Sequence, residues 1–253
     1  MLDKKNLTGA FVVGEFPKYQ CPTCRSGVLV MDGELESNEI GETKKHSMEE
    51  WWDYEFSQLT FSCALSCMAC SEKVFVVGTG YIDLHYEQGS HEDDVYTSYQ
   101  GFYKPEFFCP NLQFIDIPTA TPKEVRQHLL TAFKLYFSDP GSSCNSMRCA
   151  VEHVVTSLGV PPLKSGEKFY PLKERIDAIA PGNEGVVILL NAIRWLGNSG
   201  SHAVRDFQAA DALHAFEILE LLLEEVYEDR KRKIIDLAQA VNIRRGPVSR
   251  TGL

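Results

Sequence analysis

The apolar residues of this chain follow two different patterns. In the first part, short runs rich in Val, Phe, Tyr and Ile alternate with Gly, Pro and Ser, as in FVVGEF, GVLVM, QLTFSCAL and KVFVVGTGYIDLHY. Runs bounded by turn-forming residues in this way are typical of β-strands. In the second part, apolar residues recur every three or four positions, the period of an amphipathic helix. The patterns predict an α+β protein with a β-rich domain at 1–115, a helical bundle at 116–241 and a tail at 242–253.

The helical part contains several start and stop signals. In TPKEV, Thr121 is expected to cap a helix, with Pro122 in its first turn and Glu124 completing a capping box. A second helix is expected to end at Gly159, before two prolines, and a shorter helix to cover 171–180. The segment VVILLNAIRWL is apolar on all sides, so it is expected to form the central, buried helix.

The last helix, AADALHAFEILELLLEEVYE, carries more apolar surface than one neighbour needs. One set of its residues can face the bundle: Leu213, Phe216, Leu219 and Leu223. Ile218 and Leu222 then face elsewhere, and a second packing surface would use them. We therefore expect a homodimer that forms through the helical half.

An acidic insertion at about 32–55 interrupts the β-rich part. It has little periodicity before Met48, so it is expected to form a long loop. Trp51 and Trp52 are expected to pack this loop onto the domain. The alternative is an exposed pair of rings that stacks on a ligand.

The formal net charge of −10 is unevenly distributed. Residues 1–115 hold 18 Asp and Glu against 8 Lys and Arg, whereas 116–253 hold 17 of each. Because residues 1–115 are strongly acidic, this part of the chain is not expected to bind nucleic acid. Near the C-terminus Asp236 is outnumbered by basic residues: Arg230, Lys231, Arg232, Lys233, Arg244, Arg245 and Arg250. This basic end is either a solvated tail or a nucleic-acid-binding patch.

The sequence also indicates a compartment. It contains no run of about 18 apolar residues, the length of a membrane-spanning helix, and its first residues lack the apolar core of a signal peptide. We therefore expect a cytoplasmic protein with no membrane partner. Its eight cysteines are then expected to be reduced or bound to metal.

Two C-x-x-C pairs, Cys21 with Cys24 and Cys67 with Cys70, carry the clearest chemistry. Structural zinc is bound by four thiolates in a tetrahedron, and each tight turn can present two of them. Two such turns on neighbouring hairpins predict a zinc-ribbon-like domain with one structural zinc. Cys63 is an alternative ligand, because it precedes Cys67 by four positions. The other cysteines are expected to be packing or spare residues: Cys109, Cys144 and Cys149.

The stretch IRWLGNSGSHAV, at 193–204, raises a second possibility. We expect the central helix to break at Gly197-Asn198 and the chain then to reach His202. A buried guanidinium without a partner is costly, so Arg194 needs acceptors. Glu152 is a candidate, one helical turn after Arg148.

The helical part resembles a known bacterial family. The segments MRCAVEHVV, LKERI, IRWLGNSGSHA and ADALHAFEILELLLEEVYE look like domain of unknown function four-one-four-five. That family is similar to the HEPN superfamily of helical domains, many of them dimeric ribonucleases that need no metal. The resemblance implies a HEPN-like helical bundle, a role in bacterial defence or stress response, and RNA, a nucleotide or a defence protein as partner.

For the site, the resemblance implies catalytic roles for Arg194, Asn198 and His202. In active members an arginine binds phosphate and a histidine acts as general acid or base. Here seven residues separate Arg194 from His202, a wider spacing than in those enzymes. If the helix continues through Asn198, the spacing of four still places Arg194 and Asn198 on one face. Arg148 and Glu152 are candidate ligand-binding neighbours.

Three functions therefore remain open. The first is a zinc-containing module that binds nucleic acid or protein, which we favour. The second is a metal-independent endoribonuclease that uses Arg194, Asn198 and His202. The third is a structural adaptor, in which the polar residues only form a network between core helices. Walker, GxGxxG, GxSxG and HExxH motifs do not occur, so the common nucleotide-binding and hydrolase classes lose support.

Overall fold

The computed structural model of the chain combines an antiparallel sheet with a set of packed helices. It describes residues 7–88, 95–164, 168–179, 182–201, 207–228 and 230–247. Buried side chains of both parts join in one hydrophobic core. The prediction of an α+β protein agrees with this architecture.

The β-rich part is a seven-stranded sheet with the strand order β1-β7-β6-β5-β3-β2, and β4 pairs with β5. All of these pairings are antiparallel. The strands are β1 Phe11–Val12, β2 Tyr19–Gln20, β3 Val28–Met31, β4 Glu36–Glu39, β5 Gln58–Cys67, β6 Lys73–Gln88 and β7 Val95–Cys109.

The expected zinc-ribbon-like domain is therefore wrong: the sheet is large and curls into a half-barrel. Its curvature has a local cause at a β-bulge between Val77 and Gly78, where the register of β6 against β7 shifts. Bulges bend a strand and increase its twist. A Cβ at Gly78 would lie 2.1 Å from the carbonyl oxygen of Lys104, so only glycine allows the two strands to approach so closely.

The curled sheet has one buried face. Along β5, alternate side chains point inward: Leu59, Phe61, Cys63, Leu65 and Cys67. This period of two is the signature of a half-buried strand. The insertion is not one long loop, because it contributes β4 and a short helix, α1 (Gly41–His46), followed by one turn of 3-10 helix at Tyr54–Phe56.

The helical part contains six further helices and one small hairpin in the described ranges. The helices are α2 Lys123–Leu135, α3 Pro140–Ser157, α4 Leu172–Asp177, α5 Glu184–Ser201, α6 Ala209–Tyr227 and α7 Arg230–Arg244. The hairpin consists of β8 Leu163–Lys164 and β9 Lys168–Phe169. None of the described helices has both the length and the apolar character needed to cross a membrane.

Two helix ends differ from the prediction. Helix α2 begins after Pro122, with no side-chain cap, so Thr121 is not its N-cap. Helix α5 does not break at Gly197-Asn198 but continues to Ser201. The reason is packing: a Cβ at Gly197 would lie 2.6 Å from the Cβ of Arg148 on α3. The glycine therefore brings two helices together, and does not end one.

The wide apolar stripe of α6 is covered within the chain. Leu222 is fully buried, and Ile218 packs against the core. Phe216 stacks on Phe133 of α2 with ring centroids 5.2 Å apart. The stripe therefore no longer indicates a dimer interface, and dimerisation stays a prediction.

Candidate metal centre, polar helix face and aromatic surface

The four cysteines of the two C-x-x-C pairs lie together at one end of the sheet. Cys21 and Cys24 occupy the turn between β2 and β3, whereas Cys67 ends β5 and Cys70 lies in the turn to β6. Strand β3 pairs antiparallel with β5, with Leu29 opposite Cys67. The start of β3 therefore lies beside the end of β5, and the two turns meet.

The thiols have the spacing of a metal centre. Sγ of Cys21 lies 3.7 Å from Sγ of Cys70, and Sγ of Cys24 lies 3.7 Å from Sγ of Cys67. All four sulfur atoms lie within 4.8 Å of one another. In a tetrahedral site with bonds of about 2.3 Å, sulfurs are separated by about 3.8 Å, whereas a disulfide joins them at about 2.0 Å. The four cysteines thus form a site that could hold a metal ion.

Both turns are shaped to present thiolates. The residue after the second cysteine of each pair adopts a left-handed backbone, with φ of 57° at Arg25 and 60° at Ser71. Backbone N–H groups then point at sulfur: Gly27 N lies 3.3 Å from Cys24 Sγ, and Ala69 N lies 3.4 Å from Cys67 Sγ. Hydrogen bonds to a charged acceptor favour its charged form.

These hydrogen bonds change the acidity of Cys24. The Ser26 hydroxyl, together with the backbone N–H groups of Ser26 and Gly27, lowers the pKa of the Cys24 thiol to about 6. Thiolates are the form of cysteine that binds metal. The turn therefore prepares one ligand before any ion arrives.

Gly27 is a site residue that the sequence analysis missed. A Cβ at this position would lie 2.4 Å from Cys67 Sγ and 2.8 Å from the Cβ of Ala69. Its carbonyl oxygen also accepts a hydrogen bond from the backbone N–H of Cys21 at 2.8 Å. Its place three positions after Cys24 was the only available signal, since the contact with Cys67 depends on the pairing of β3 with β5.

Cys63, the alternative ligand, lies outside the cluster. It faces the core from β5, and burial raises the pKa of its thiol to about 11. Of the remaining cysteines, Cys144 is buried, Cys149 is half-buried and Cys109 is exposed. Among the residues that the structure describes, the four clustered cysteines form the group that could hold a metal ion.

The cysteine cluster is connected to the helical part through Arg25. The guanidinium of Arg25 lies 2.8 Å from Asp116 Oδ1 and donates to the backbone carbonyl of Gln113. The backbone N–H of Asp116 in turn donates to Glu220 on α6 at 3.2 Å. One turn of the candidate metal centre thus contacts the segment that leads into the helices.

The polar residues of α5 make mostly local contacts. Arg194 is nearly buried, its Nε donates to Asn191 Oδ1 at 3.2 Å, and its guanidinium lies 4.2 Å from the centre of the Trp195 ring. Glu152, the acceptor expected for Arg194, pairs with Arg148 at 2.7 Å on its own helix. The described contacts of Arg194 are therefore with uncharged groups.

The expected cluster is placed only in part. Arg194 and Asn198 lie one turn apart on α5, and Arg148 lies against the same helix at Gly197. The side chain of Asn198 is half-buried. His202 falls outside the described residues, so the structure does not place the expected general acid or base.

Arg175 is a buried polar residue that the sequence analysis did not single out. It donates to the carbonyl of Glu152, the hydroxyl of Thr156 and the carbonyl of Val160, at 2.7–3.0 Å. These groups belong to the end of α3 and the turn after it. A lone arginine in LKERI gave no signal, because its acceptors lie on another helix.

The insertion presents an exposed aromatic surface. Together with Phe56 at its end and Tyr99 on the neighbouring strand β7, it forms what we call the aromatic patch, whose side chains are all about half exposed or more: Trp51, Tyr54, Phe56 and Tyr99. Tyr54 contacts Tyr99 at 5.2 Å, and Trp51 contacts Phe56 at 6.4 Å between ring centroids. Trp51 is 60% exposed, so the expectation that it packs onto the domain is wrong, whereas Trp52 is half-buried.

The aromatic patch contains a carboxylate and belongs to a segment of acidic sequence. The hydroxyl of Tyr99 donates to Asp53 at 3.1 Å, and this hydrogen bond raises the pKa of Tyr99. In total, residues 32–55 contain nine Asp and Glu against two Lys. The patch therefore combines exposed rings with the Asp53 carboxylate, in a segment whose sequence is strongly acidic.

Comparison with known proteins yields two family matches. Residues 131–243 match the family described as Domain of unknown function (DUF4145), and residues 9–108 match Domain of unknown function (DUF8608). No curated protein and no solved structure matches the chain. The first match confirms the resemblance of the helical part to an uncharacterised family, and neither description names an activity.

Proposed function

We propose that this protein is a zinc-stabilised module for protein interaction, and that the aromatic patch is its binding surface. The observation that carries the proposal is the exposure of Trp51, Tyr54 and Phe56 in and beside a segment of strongly acidic sequence. Tyrosine and tryptophan dominate the energetic centres of protein interfaces. An acidic surface repels nucleic acid, so the partner of this surface is a protein with basic groups.

Zinc is the metal that fits the cysteine cluster best. Four thiolates in a tetrahedron suit zinc or an iron–sulfur centre, and the sulfur separations of 3.7 Å match a single ion with bonds of about 2.3 Å. Four cysteine ligands leave no open position for a substrate. The role of the ion would be structural: it would join the turn before β3 to the turn after β5.

The test compares binding by matched variants. Wild-type protein, the double variant Trp51→Ala/Phe56→Ala and the control Phe169→Ala are immobilised and exposed to extract of the source cells. Phe169 is a suitable control because it is 77% exposed on β9, in the helical part. We expect a protein that wild type and Phe169→Ala retain and that the double variant loses, and we expect the purified partner to reproduce this difference. No difference between the variants would reject the aromatic patch as a binding surface.

A second candidate is metal-independent RNA cleavage by Arg194, Asn198 and His202. The observation that favours it is the nearly buried guanidinium of Arg194, whose described partners are uncharged. Such a group can still bind a phosphate. Wild type that cleaves RNA in the presence of a chelator, with activity lost in both His202→Ala and Arg194→Ala, would support this function. Absence of cleavage by wild type would reject it.

A further inference from the structure

Helix α7 lies apart from the hydrophobic core. From 234 to 245 every side chain except Ala240 is exposed. Four residues form an apolar stripe at helical spacing: Ile234, Leu237, Ala238 and Val241. An isolated helix of about 12–15 residues is only marginally stable in water. A helix of 15 residues with an open apolar stripe therefore indicates a partner surface.

The charge of α7 restricts that surface. Residues 230–250 contain seven Lys and Arg against Asp236, and the basic residues lie at both ends of the helix. Pairing of α7 with a second α7 would bring like charges together in either orientation. Like charges across an interface are costly. The partner surface must therefore be apolar at its centre and acidic around it.

The aromatic patch has this composition. It offers exposed rings, the Asp53 carboxylate accepts a hydrogen bond from Tyr99 within it, and the segment 32–55 that carries two of the rings has a net excess of seven carboxylates. Arginine and lysine can also lie over Trp and Tyr rings. Between α7 and the aromatic patch, both the apolar areas and the charges are complementary.

We infer that α7 of one copy binds the aromatic patch of a second copy. This inference rests on the proposed function, since it names the partner of the same surface. A two-fold axis would create the contact twice. An aromatic side chain has about 200 Å² of surface, so four of them that are half exposed can bury about 400 Å² in one contact. Each contact buries a similar area on α7, and a two-fold axis makes two contacts, so the dimer buries about 1,600 Å² in total. That is the size of a standard stable interface.

The experiment measures the molar mass of the full chain over a range of concentrations by sedimentation. Wild type is expected to be a dimer at micromolar concentration, with dissociation that increases with salt. Trp51→Ala/Phe56→Ala and Arg244→Glu/Arg245→Glu are each expected to raise the dimer dissociation constant by at least tenfold. Two controls should leave it unchanged: Phe169→Ala, and Lys123→Glu/Lys134→Glu on the exposed face of α2.

A mixture of the two double variants gives the sharpest test. In a heterodimer, the intact α7 of the patch variant meets the intact patch of the helix variant, so one of the two contacts survives. The mixture is therefore expected to associate more strongly than either variant alone. Equal association of the mixture and the separate variants would overturn the pairing of α7 with the patch.

Two further outcomes would overturn the inference. The first is a wild type that stays monomeric at tens of micromolar. The second is a monomer whose hydrodynamic radius increases in Arg244→Glu/Arg245→Glu, because α7 then binds the patch of its own chain. If a monomeric wild type still retains a cellular protein through Trp51 and Phe56, self-association fails while the proposed function stands.

Discussion

Gly27 lies directly against Cys67, although the two residues are forty positions apart in the sequence. Gly27 precedes β3 and Cys67 ends β5, and these two strands are paired. A Cβ on Gly27 would stand 2.4 Å from Cys67 Sγ, well inside van der Waals contact. The position of Cys67, a ligand of the candidate metal centre, therefore depends on the absence of a side chain at residue 27.

Gly27→Ala is expected to weaken metal binding and to destabilise the protein. The new methyl group must displace either Cys67 or the turn at Ala69, and overpacking of this kind costs about 1–3 kcal/mol. Metal content and thermal unfolding measure the two effects. Gly41→Ala is the control, since a Cβ there has no neighbour within 4 Å. Equal metal content in Gly27→Ala and wild type would contradict the close packing of the two turns.

The ligand set predicts opposite results for two neighbouring cysteines. Cys67→Ser is expected to abolish binding of one zinc per chain, because it removes one of four thiolates. Cys63→Ser is expected to retain the metal, since Cys63 faces the core from β5. Elemental analysis of protein purified without chelator decides between them. Metal loss in Cys63→Ser alone would show that the assignment of ligands is wrong.

The turn around Cys24 predicts a pH dependence. Hydrogen bonds from Ser26 and Gly27 hold the pKa of Cys24 at about 6 in the folded chain, below the usual value of 9.0. A thiol whose pKa is lower in the folded chain than in the unfolded chain stabilises the fold fully when the pH lies above the unfolded pKa. This stabilisation is lost as the pH falls through the folded pKa of about 6. Thiolate absorbance of metal-free protein should therefore show a titration near pH 6 that Cys24→Ser removes. Ser26→Ala should move this titration to higher pH.

The contact between α3 and α5 predicts the effect of a single methyl group. Gly197→Ala is expected to destabilise the chain by about 1–3 kcal/mol, because the Cβ would lie 2.6 Å from Arg148 Cβ and 3.0 Å from the Cys144 carbonyl. Gly185→Ala in the same helix has no neighbour within 4 Å, and is expected to be neutral or to stabilise by up to about 1 kcal/mol. Chemical denaturation compares the pair. Equal stability of the two variants would show that α5 can move away from α3.

Removal of Arg175 is expected to loosen the end of α3. Its guanidinium donates to Glu152, Thr156 and Val160 from a nearly fully buried position. Arg175→Met keeps the apolar length of the side chain but leaves these acceptors without their donor, at a cost of about 1–3 kcal/mol for each one left unsatisfied. Arg126→Met on α2 is the comparison, since the one described hydrogen bond of its guanidinium is to the Pro118 carbonyl. A similar small loss in both variants would argue against a structural role for Arg175.

Local sequence patterns determined much of this protein. The period of two along QLTFSCAL identified β5, and the period near 3.6 identified α2, α3 and α6. The spacing of the C-x-x-C pairs identified the four cysteines that lie together, because two thiols on one tight turn are already close. In each case the cause lies within a few residues of its effect.

Only the tertiary structure decided the remaining features. The sheet curls because β6 and β7 shift register at Gly78. Helix α5 continues past Gly197 because α3 lies against it. Leu222 is buried by neighbours that are distant in the sequence. A glycine that ends a helix and a glycine that admits a second helix have the same local surroundings. The difference between them is whether the tertiary structure packs a second helix against the glycine. The conformational freedom of glycine is the same in both cases and does not predict that contact.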